Sequence, residues 1–186
     1  MSPLEPEREA RRRIYRGRVI DLNVDTLRLP DGTVMEREYV AHAGAAAILP
    51  FVDAPGAPDP RVLLLRQYRH ATGGELWEVP AGTRDAPEEP WADCAHRELE
   101  EETGFRARSL RQLTRIFTAP GFCDEIIHLF MAWDLEPGHR NLDDDEFVEV
   151  VEMRFSEALE MVRDGRIIDA KSVATLLWVD RFAAER

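Results

Sequence analysis

The stretch RELEEETGF, Arg97 to Phe105, places four glutamates within five positions and ends on a Thr-Gly-Phe break. Like charges at this density weaken a helix unless something compensates them. On a helical wheel Ala92, Ala95 and Leu99 recur at spacings of three and four and make a core stripe. Glu98, Glu101 and Glu102 form a second set at i, i+3 and i+4, rotated by about a quarter-turn from that stripe. These three carboxylates converge at the edge of the buried face, while Glu100 points away to solvent. Arg97 lies one turn before Glu101 and is spaced to pair with it. Carboxylate oxygens are hard ligands of the kind Mg2+ or Mn2+ takes. A charge run is equally what an ordinary solvent-facing helix carries, so the run alone leaves both readings open.

The surroundings favour the cation. VPAGTRDAPEEPWADCAHRELEEETGF resembles the Nudix hydrolase signature: a Gly, a spaced Glu, then Arg-Glu-apolar-x-Glu-Glu-x-Gly-apolar. The matching residues are Gly82, Glu89, Arg97, Glu98, Leu99, Glu101, Glu102, Gly104 and Phe105. Six residues separate Gly82 from Glu89, one more than the common form has; alternatively Glu88 keeps the first spacing and the second is lengthened. Flanking segments (EREYVAHAGAAAILP, RQYR, ELWEVPAG, TAPGFCDEIIHLF and GRIIDAKSVATLL) are similar to the ADP-ribose pyrophosphatase branch, as is Pro120, sixteen residues past Gly104.

That resemblance implies an α/β/α sandwich around a mixed sheet, working as a homodimer with an interlocked N-terminal sheet. It implies Mg2+, with Mn2+ able to substitute, and a nucleoside diphosphate sugar as substrate. Glu98 and Glu102 become the principal metal ligands, with Glu101 and the Ala81 carbonyl beside them, Arg97 orienting the glutamates and Gly82 letting the backbone come close. Arg37 and Glu38 match positions that touch adenine, often from the partner subunit. Arg69 and Glu125 match positions near the diphosphate and terminal ribose. The acidic stretch NLDDDEFVEV supplies Glu146 as candidate general base, with Asp144 and Asp145 in reserve; an acidic hairpin turn is its other reading. Trp77 reads as core rather than a base-stacking platform, and the five histidines show no ligand spacing.

The elements that must position these residues follow from pattern. Residues 1–13 read as a charged lead-in, mobile or helical. RVIDLNVDTLRL and VMEREYVAH alternate apolar and polar residues around the turn PDGT and form a hairpin, the region 14–44 being the expected dimerisation element. AAAILPFV and RVLLLRQYR are continuously apolar, as inner strands are, with DAPGAPDP as a hairpin loop between them. ELWEVPAG adds a short strand. A helix runs from about Pro90 to Thr103 and stops at Gly104. Strands LRQLTRIFTA, EIIHLFMAWDL and FVEVVEMRF follow. Two helices, with Ser156 and Asp169 as N-caps, finish an α+β domain spanning 14–186.

Composition limits the partners. A net charge of −12 and a pI near 4.9 argue against non-specific nucleic-acid or anionic-membrane binding, though a divalent cation can reverse the sign locally for a phosphate. No apolar run approaches the roughly 20 residues of a membrane span, and MSPLEPEREARRR has no signal-peptide core. Cys94 and Cys123 form no disulfide framework, which suits the cytoplasm. The leading expectation is a Mg2+-dependent hydrolase that cuts ADP-ribose into AMP and ribose 5-phosphate. The alternatives are another nucleoside diphosphate sugar or dinucleotide, a catalytically silent ligand sensor of the same fold, or an acidic interaction module.

Overall fold

A computed structural model describes residues 4–142 and 147–183 of the chain. It forms two compact units: one runs to Gly44 and takes in Phe117–Ile126, and the other comprises Ala45–Ile116 with the chain from Ile127 onward.

The first unit is an antiparallel sheet in the order β1 (Glu7–Arg16), β2 (Ile20–Arg28), β3 (Val34–His42). The β2–β3 turn is the expected one, with Gly32 at φ 87° and the Asp31 carboxylate accepting the Thr33 N–H at 2.9 Å. β1 corrects the expectation of a mobile or helical lead-in. Its arginines find cross-strand carboxylates: Arg11 forks onto Asp25 at 2.8 and 2.9 Å, and Arg13 reaches Asp21 at 3.3 Å. Opposite charges facing one another across a ladder stabilise a strand that local propensity disfavours.

The second unit holds the remaining strands. β4 (Ala45–Pro50), β7 (Ala81–Thr83), β8 (Phe105–Phe117) and β9 (Ile126–Pro137) form a mixed sheet in the order β7-β4-β9-β8, with β4 and β9 parallel. β5 (Arg61–Arg69), β6 (Gly74–Glu78) and β10 (Val148–Arg154) form a second, antiparallel sheet in the order β10-β5-β6. The helices are α1 (Trp91–Thr103), α2 (Phe155–Arg163) and α3 (Ala170–Phe182).

Side chains alternate across β4 and β9 with period two. Ala46, Ile48, Phe130 and Ala132 pack on Cys94, Ala95 and Leu99 of α1. Ala45, Ala47, Leu49, Leu129 and Met131 pack on the other side with Leu64 of β5, Met161 of α2 and Leu176 of α3. Both faces of the mixed sheet are covered, which is why AAAILP is apolar at every position. This is the expected sandwich.

Four local expectations are corrected. DAPGAPDP does not join neighbouring strands of one sheet; it carries the chain from one sheet to the other, its ends held by the Phe51–Val62 bridge, the Val52 N–H to Arg61 carbonyl bond at 2.9 Å and the Arg61–Asp53 ion pair at 2.7 Å. ELWEVPAG is two strands, β6 and β7, in different sheets with Pro80 between them. Ala92 is exposed, so the core stripe of α1 is Cys94, Ala95 and Leu99. Ser156 does not cap α2; the helix begins at Phe155, and the Ser156 N–H and hydroxyl both bond Asp59 from the β4–β5 loop, at 3.1 and 3.0 Å. Asp169 caps α3 as expected, accepting from the Ser172 N–H at 3.0 Å. Among the described residues no helix is long and apolar enough to cross a membrane.

Candidate active site

The site is built where α1 lies along β7. Apolar contact with β4 sets the roll of the helix, and that roll turns Glu98, Glu101 and Glu102 toward the neighbouring strand. β7 pairs with β4 through Ala81, Gly82 and Thr83. The Glu102 carboxylate is buried and accepts the Ala81 N–H at 2.8 Å. The Glu98 carboxylate lies directly against Gly82: a Cβ there would sit 2.2 Å from its Cδ. Only a residue without a side chain fits that approach.

Arg97 holds this edge together. Its guanidinium donates to Glu98 at 2.7 Å, to Glu101 at 3.0 Å, to both oxygens of Glu89 at 3.1 and 3.2 Å, and to the Thr83 carbonyl at 2.8 Å. Burial works against its charge, but the bonds to Glu89 and Glu98 outweigh it and raise its pKa. The same Arg97 bond holds the Glu89 carboxyl below its ordinary range. The choice between Glu88 and Glu89 is thereby decided: Glu88 is exposed, whereas Glu89 reaches the arginine despite the extra loop residue.

The C-terminal turn of α1 is pinned from outside. Gly104, at φ 76°, caps the helix. The segment after β9 then supplies the donors that the last turn lacks: Gly138 N–H to the Gly104 carbonyl at 2.8 Å, Asn141 N–H to that of Glu101 at 3.0 Å, and the Arg140 Nε to that of Glu102 at 2.9 Å. Arg140 is also the cation that a helix C-terminus favours, which α1 itself does not carry. Glu100 is not simply solvated as expected; it accepts from Arg106 at 2.7 Å and the His139 N–H at 3.0 Å, tying down the same segment. Arg106 first, then the His139 N–H, lowers its pKa.

The donor set fits a hard divalent cation: three carboxylates along one helix edge, against backbone left bare at Gly82. As they stand, no three such groups among the described residues converge tightly enough to hold a metal, because Arg97 and the Ala81 N–H lie among them. Cys94 lies on the buried face of α1 with its thiol pushed up to about 12, chiefly by burial.

The other expected residues are distributed between the units. Arg69, at the end of β5, lies in the second unit and bonds Glu78 through Nε at 2.8 Å. Arg37 and Glu38 are exposed on β3 in the first unit. Pro120 and Glu125 lie in that unit too, where Glu125 accepts from the Thr118 hydroxyl at 2.8 Å and faces His42 at 3.5 Å. Glu146, Asp144 and Asp145 lie outside the described residues. Trp77 packs partly against the core, with Arg66 over its ring at 5.9 Å.

Two groupings escaped the sequence reading. Trp91 stacks on His128 at 4.4 Å, with Arg84 4.0 Å from the Trp91 ring centroid. Buried Glu78 and Lys171 form an ion pair at 2.8 Å. The available signal for the second was a glutamate flanked by apolar residues in LWEVP and the chain's only lysine.

Fold and site together define a Nudix hydrolase. The NUDIX domain model matches residues 41–176, and the chain belongs to that family. It is 39% identical over 181 residues to the ADP-ribose pyrophosphatase of Bacillus subtilis, covering 96% of this chain and 95% of that one. It is 39% identical over 157 residues to the GDP-mannose pyrophosphatase of Cronobacter sakazakii, covering 78% and 79%. Among solved structures an ADP compounds hydrolase shares the fold with a TM-score of 0.83, at 24% identity and with 97% and 95% of the two chains covered.

Proposed function

We propose that this chain hydrolyses ADP-ribose to AMP and ribose 5-phosphate in the cytoplasm, with Mg2+ as its cation and Mn2+ able to substitute. The observation that carries the reading is the edge of Glu98, Glu101 and Glu102 against Gly82, organised by Arg97, in a chain matched over nearly its full length by an ADP-ribose pyrophosphatase. Glu98, Glu102 and the Ala81 carbonyl would hold the cation, with Glu101 beside them. A cation bound there neutralises phosphoryl oxygens and makes water acidic enough to react.

The protein's own groups supply the remainder. Arg97 keeps Glu98 and Glu101 from swinging to solvent. Arg69 spends its Nε on Glu78, and its two terminal amino groups, which bond none of the described residues, are left to fork onto a phosphate. A carboxylate, for which Glu146 is the choice and Asp144 or Asp145 the reserve, takes the proton as the water oxygen bonds to phosphorus. The bridging oxygen leaves with the other phosphate. Arg37 and Glu38 contact adenine across a homodimer built on the N-terminal hairpin at 14–44, with Pro120 and Glu125 shaping the ribose end.

A panel of ADP-ribose, ADP-glucose, GDP-mannose, NADH and a diadenosine polyphosphate, scored by kcat/KM with Mg2+, tests the reading. ADP-ribose is expected to lead. The similarity to GDP-mannose pyrophosphatases makes GDP-mannose the second reading, and a tenfold lead for it overturns the substrate while leaving the reaction class. Turnover of none of the five returns the chain to a silent sensor.

A further inference from the structure

Lys171 is the only lysine among 24 basic residues; every other positive side chain is arginine. It lies in the first turn of α3 and is buried, with Nζ 2.8 Å from Glu78 Oε1 and 3.0 Å from Asp169 Oδ2. Glu78, also buried, ends β6. Its other oxygen, Oε2, accepts Arg69 Nε at 2.8 Å. Asp169 continues the network, accepting from the Ser172 hydroxyl at 2.6 Å, and that hydroxyl in turn accepts the Val79 N–H at 2.8 Å. The start of α3 therefore grips the Glu78 side chain and the Val79 backbone, two residues before Ala81.

The division of labour at Glu78 is specific. A carboxylate beside a guanidinium prefers a two-donor fork, with both oxygens engaged. Here one oxygen is held by an ammonium, so Arg69 is restricted to a single contact through Nε. An ammonium is a compact point charge that fits between two carboxylates, whereas a guanidinium is a planar group with five donors. In a chain that uses arginine everywhere else, this is the one position given the smaller cation.

We infer that Lys171 is a positioning residue for the diphosphate: by occupying Glu78 Oε1 it prevents Arg69 from closing a fork onto Glu78 and keeps the terminal amino groups of Arg69 directed at substrate. The inference rests on the reading of Arg69 as a diphosphate contact. Removing the Lys171 charge leaves Oε1 to capture a second Arg69 nitrogen, and the guanidinium turns from the phosphate to the protein.

The test is a cycle on the full chain with Lys171→Met, Arg69→Ala and the double variant, with ADP-ribose as substrate. Lys171→Met is expected to raise KM about tenfold, the worth of one charge-assisted bond, with kcat within about threefold. Calorimetric binding of ADP-ribose in EDTA should weaken by the same factor. In the Arg69→Ala background the lysine change should move KM by less than twofold, because its route to substrate is gone. If Lys171→Met does not fold, Lys171→Met/Glu78→Gln replaces the buried pair by neutral groups of similar size. With the second carboxylate oxygen gone, Arg69 has no fork to close, so that variant should keep KM within about twofold of wild type, and a tenfold rise there overturns the inference.

The failures are separable. A wild-type protein that does not turn over ADP-ribose sinks the function. Arg69→Ala with wild-type KM removes the residue through which Lys171 acts, and overturns the inference. A normal Arg69 effect with an unchanged KM in Lys171→Met, or an equal rise in both backgrounds, makes Lys171 purely architectural and overturns the inference alone.

Discussion

Gly82→Ala adds one methyl group, and its destination is already filled. The new Cβ would lie 2.2 Å from Cδ and Oε1 of Glu98 and 2.4 Å from Oε2. Since non-bonded carbon atoms settle at about 3.5 Å, the carboxylate must retreat by about 1.2 Å. The backbone raises no objection, because Gly82 lies in strand β7 and is not among the positive-φ glycines. The retreat breaks the 2.7 Å Arg97–Glu98 bond, a loss of about 1.5–3 kcal/mol for a charged hydrogen bond. Reduced freedom of the unfolded chain offsets about 0.4–1 kcal/mol of that. A net loss of about 1–2 kcal/mol lowers Tm by about 2–8 °C for a chain of this length. The effect on turnover is larger, since a displacement of about 1 Å at a reacting centre costs about 100-fold, or about 2.7 kcal/mol of barrier. Steady-state ADP-ribose hydrolysis at saturating Mg2+, with melting curves on the same samples, reads both numbers. A variant with kcat within threefold of wild type and an unchanged Mg2+ requirement refutes the placement of Glu98 at the reacting centre. A collapse in Tm of more than about 15 °C makes Gly82 a packing residue first.

Glu102→Gln keeps the shape of the side chain and its capacity to accept the Ala81 N–H while removing a charge and a hard ligand. Turnover should fall by about two orders of magnitude or more. The metal-free variant should melt no lower than metal-free wild type, and added Mg2+ should raise Tm in wild type but much less in the variant; equal shifts would contradict the metal site. A third expectation concerns acid. Burial first, then Arg115 and Arg84, lowers the pKa of His128 below its ordinary 6.5, so the unfolded chain takes up the proton first. Its contribution is complete above pH 6.5 and is lost as pH falls through the lower folded value. Between about pH 7.5 and about pH 5, wild type should therefore lose more Tm than His128→Gln, and parallel profiles would refute the assignment.

What could be read without coordinates was what neighbouring residues decide. Gly104 stops α1 because it alone adopts the left-handed cap cheaply, and Arg97 meets Glu101 because one helical turn separates them. AAAILP announced a strand covered on both faces. What escaped depends on distant partners. β1 looks like a solvated basic run until Asp21 and Asp25 appear opposite it. The wheel gave the right spacing for α1 but included Ala92, because spacing does not fix where a buried stripe ends. Asp59 bonds Ser156 from 97 positions away, and Lys171 meets Glu78 across 93; no local pattern carries either pairing. The extra loop residue before α1 left Glu88 and Glu89 equivalent on paper, and only the reach of Arg97 separates them.

The parallel pairing of β4 with β9 has a consequence for how the molecule comes to exist. Ala45 pairs with Ile127, 82 positions further along, whereas α1 and β7, which flank β4 on its other face and edge, are made long before β9 emerges. Until β9 arrives, β4 has an open edge, and the floor beneath Cys94, Ala95 and Leu99 lacks Phe130 and Ala132. Joining such distant segments carries a loop-closure cost that local contacts do not repay in advance. The acidic helix, complete in sequence at Thr103, therefore gains the second half of its floor only when β9 is added. A nascent or truncated chain ending before β9 has only Ala46 and Ile48 of β4 to receive the core face of the signature helix, without Phe130 and Ala132.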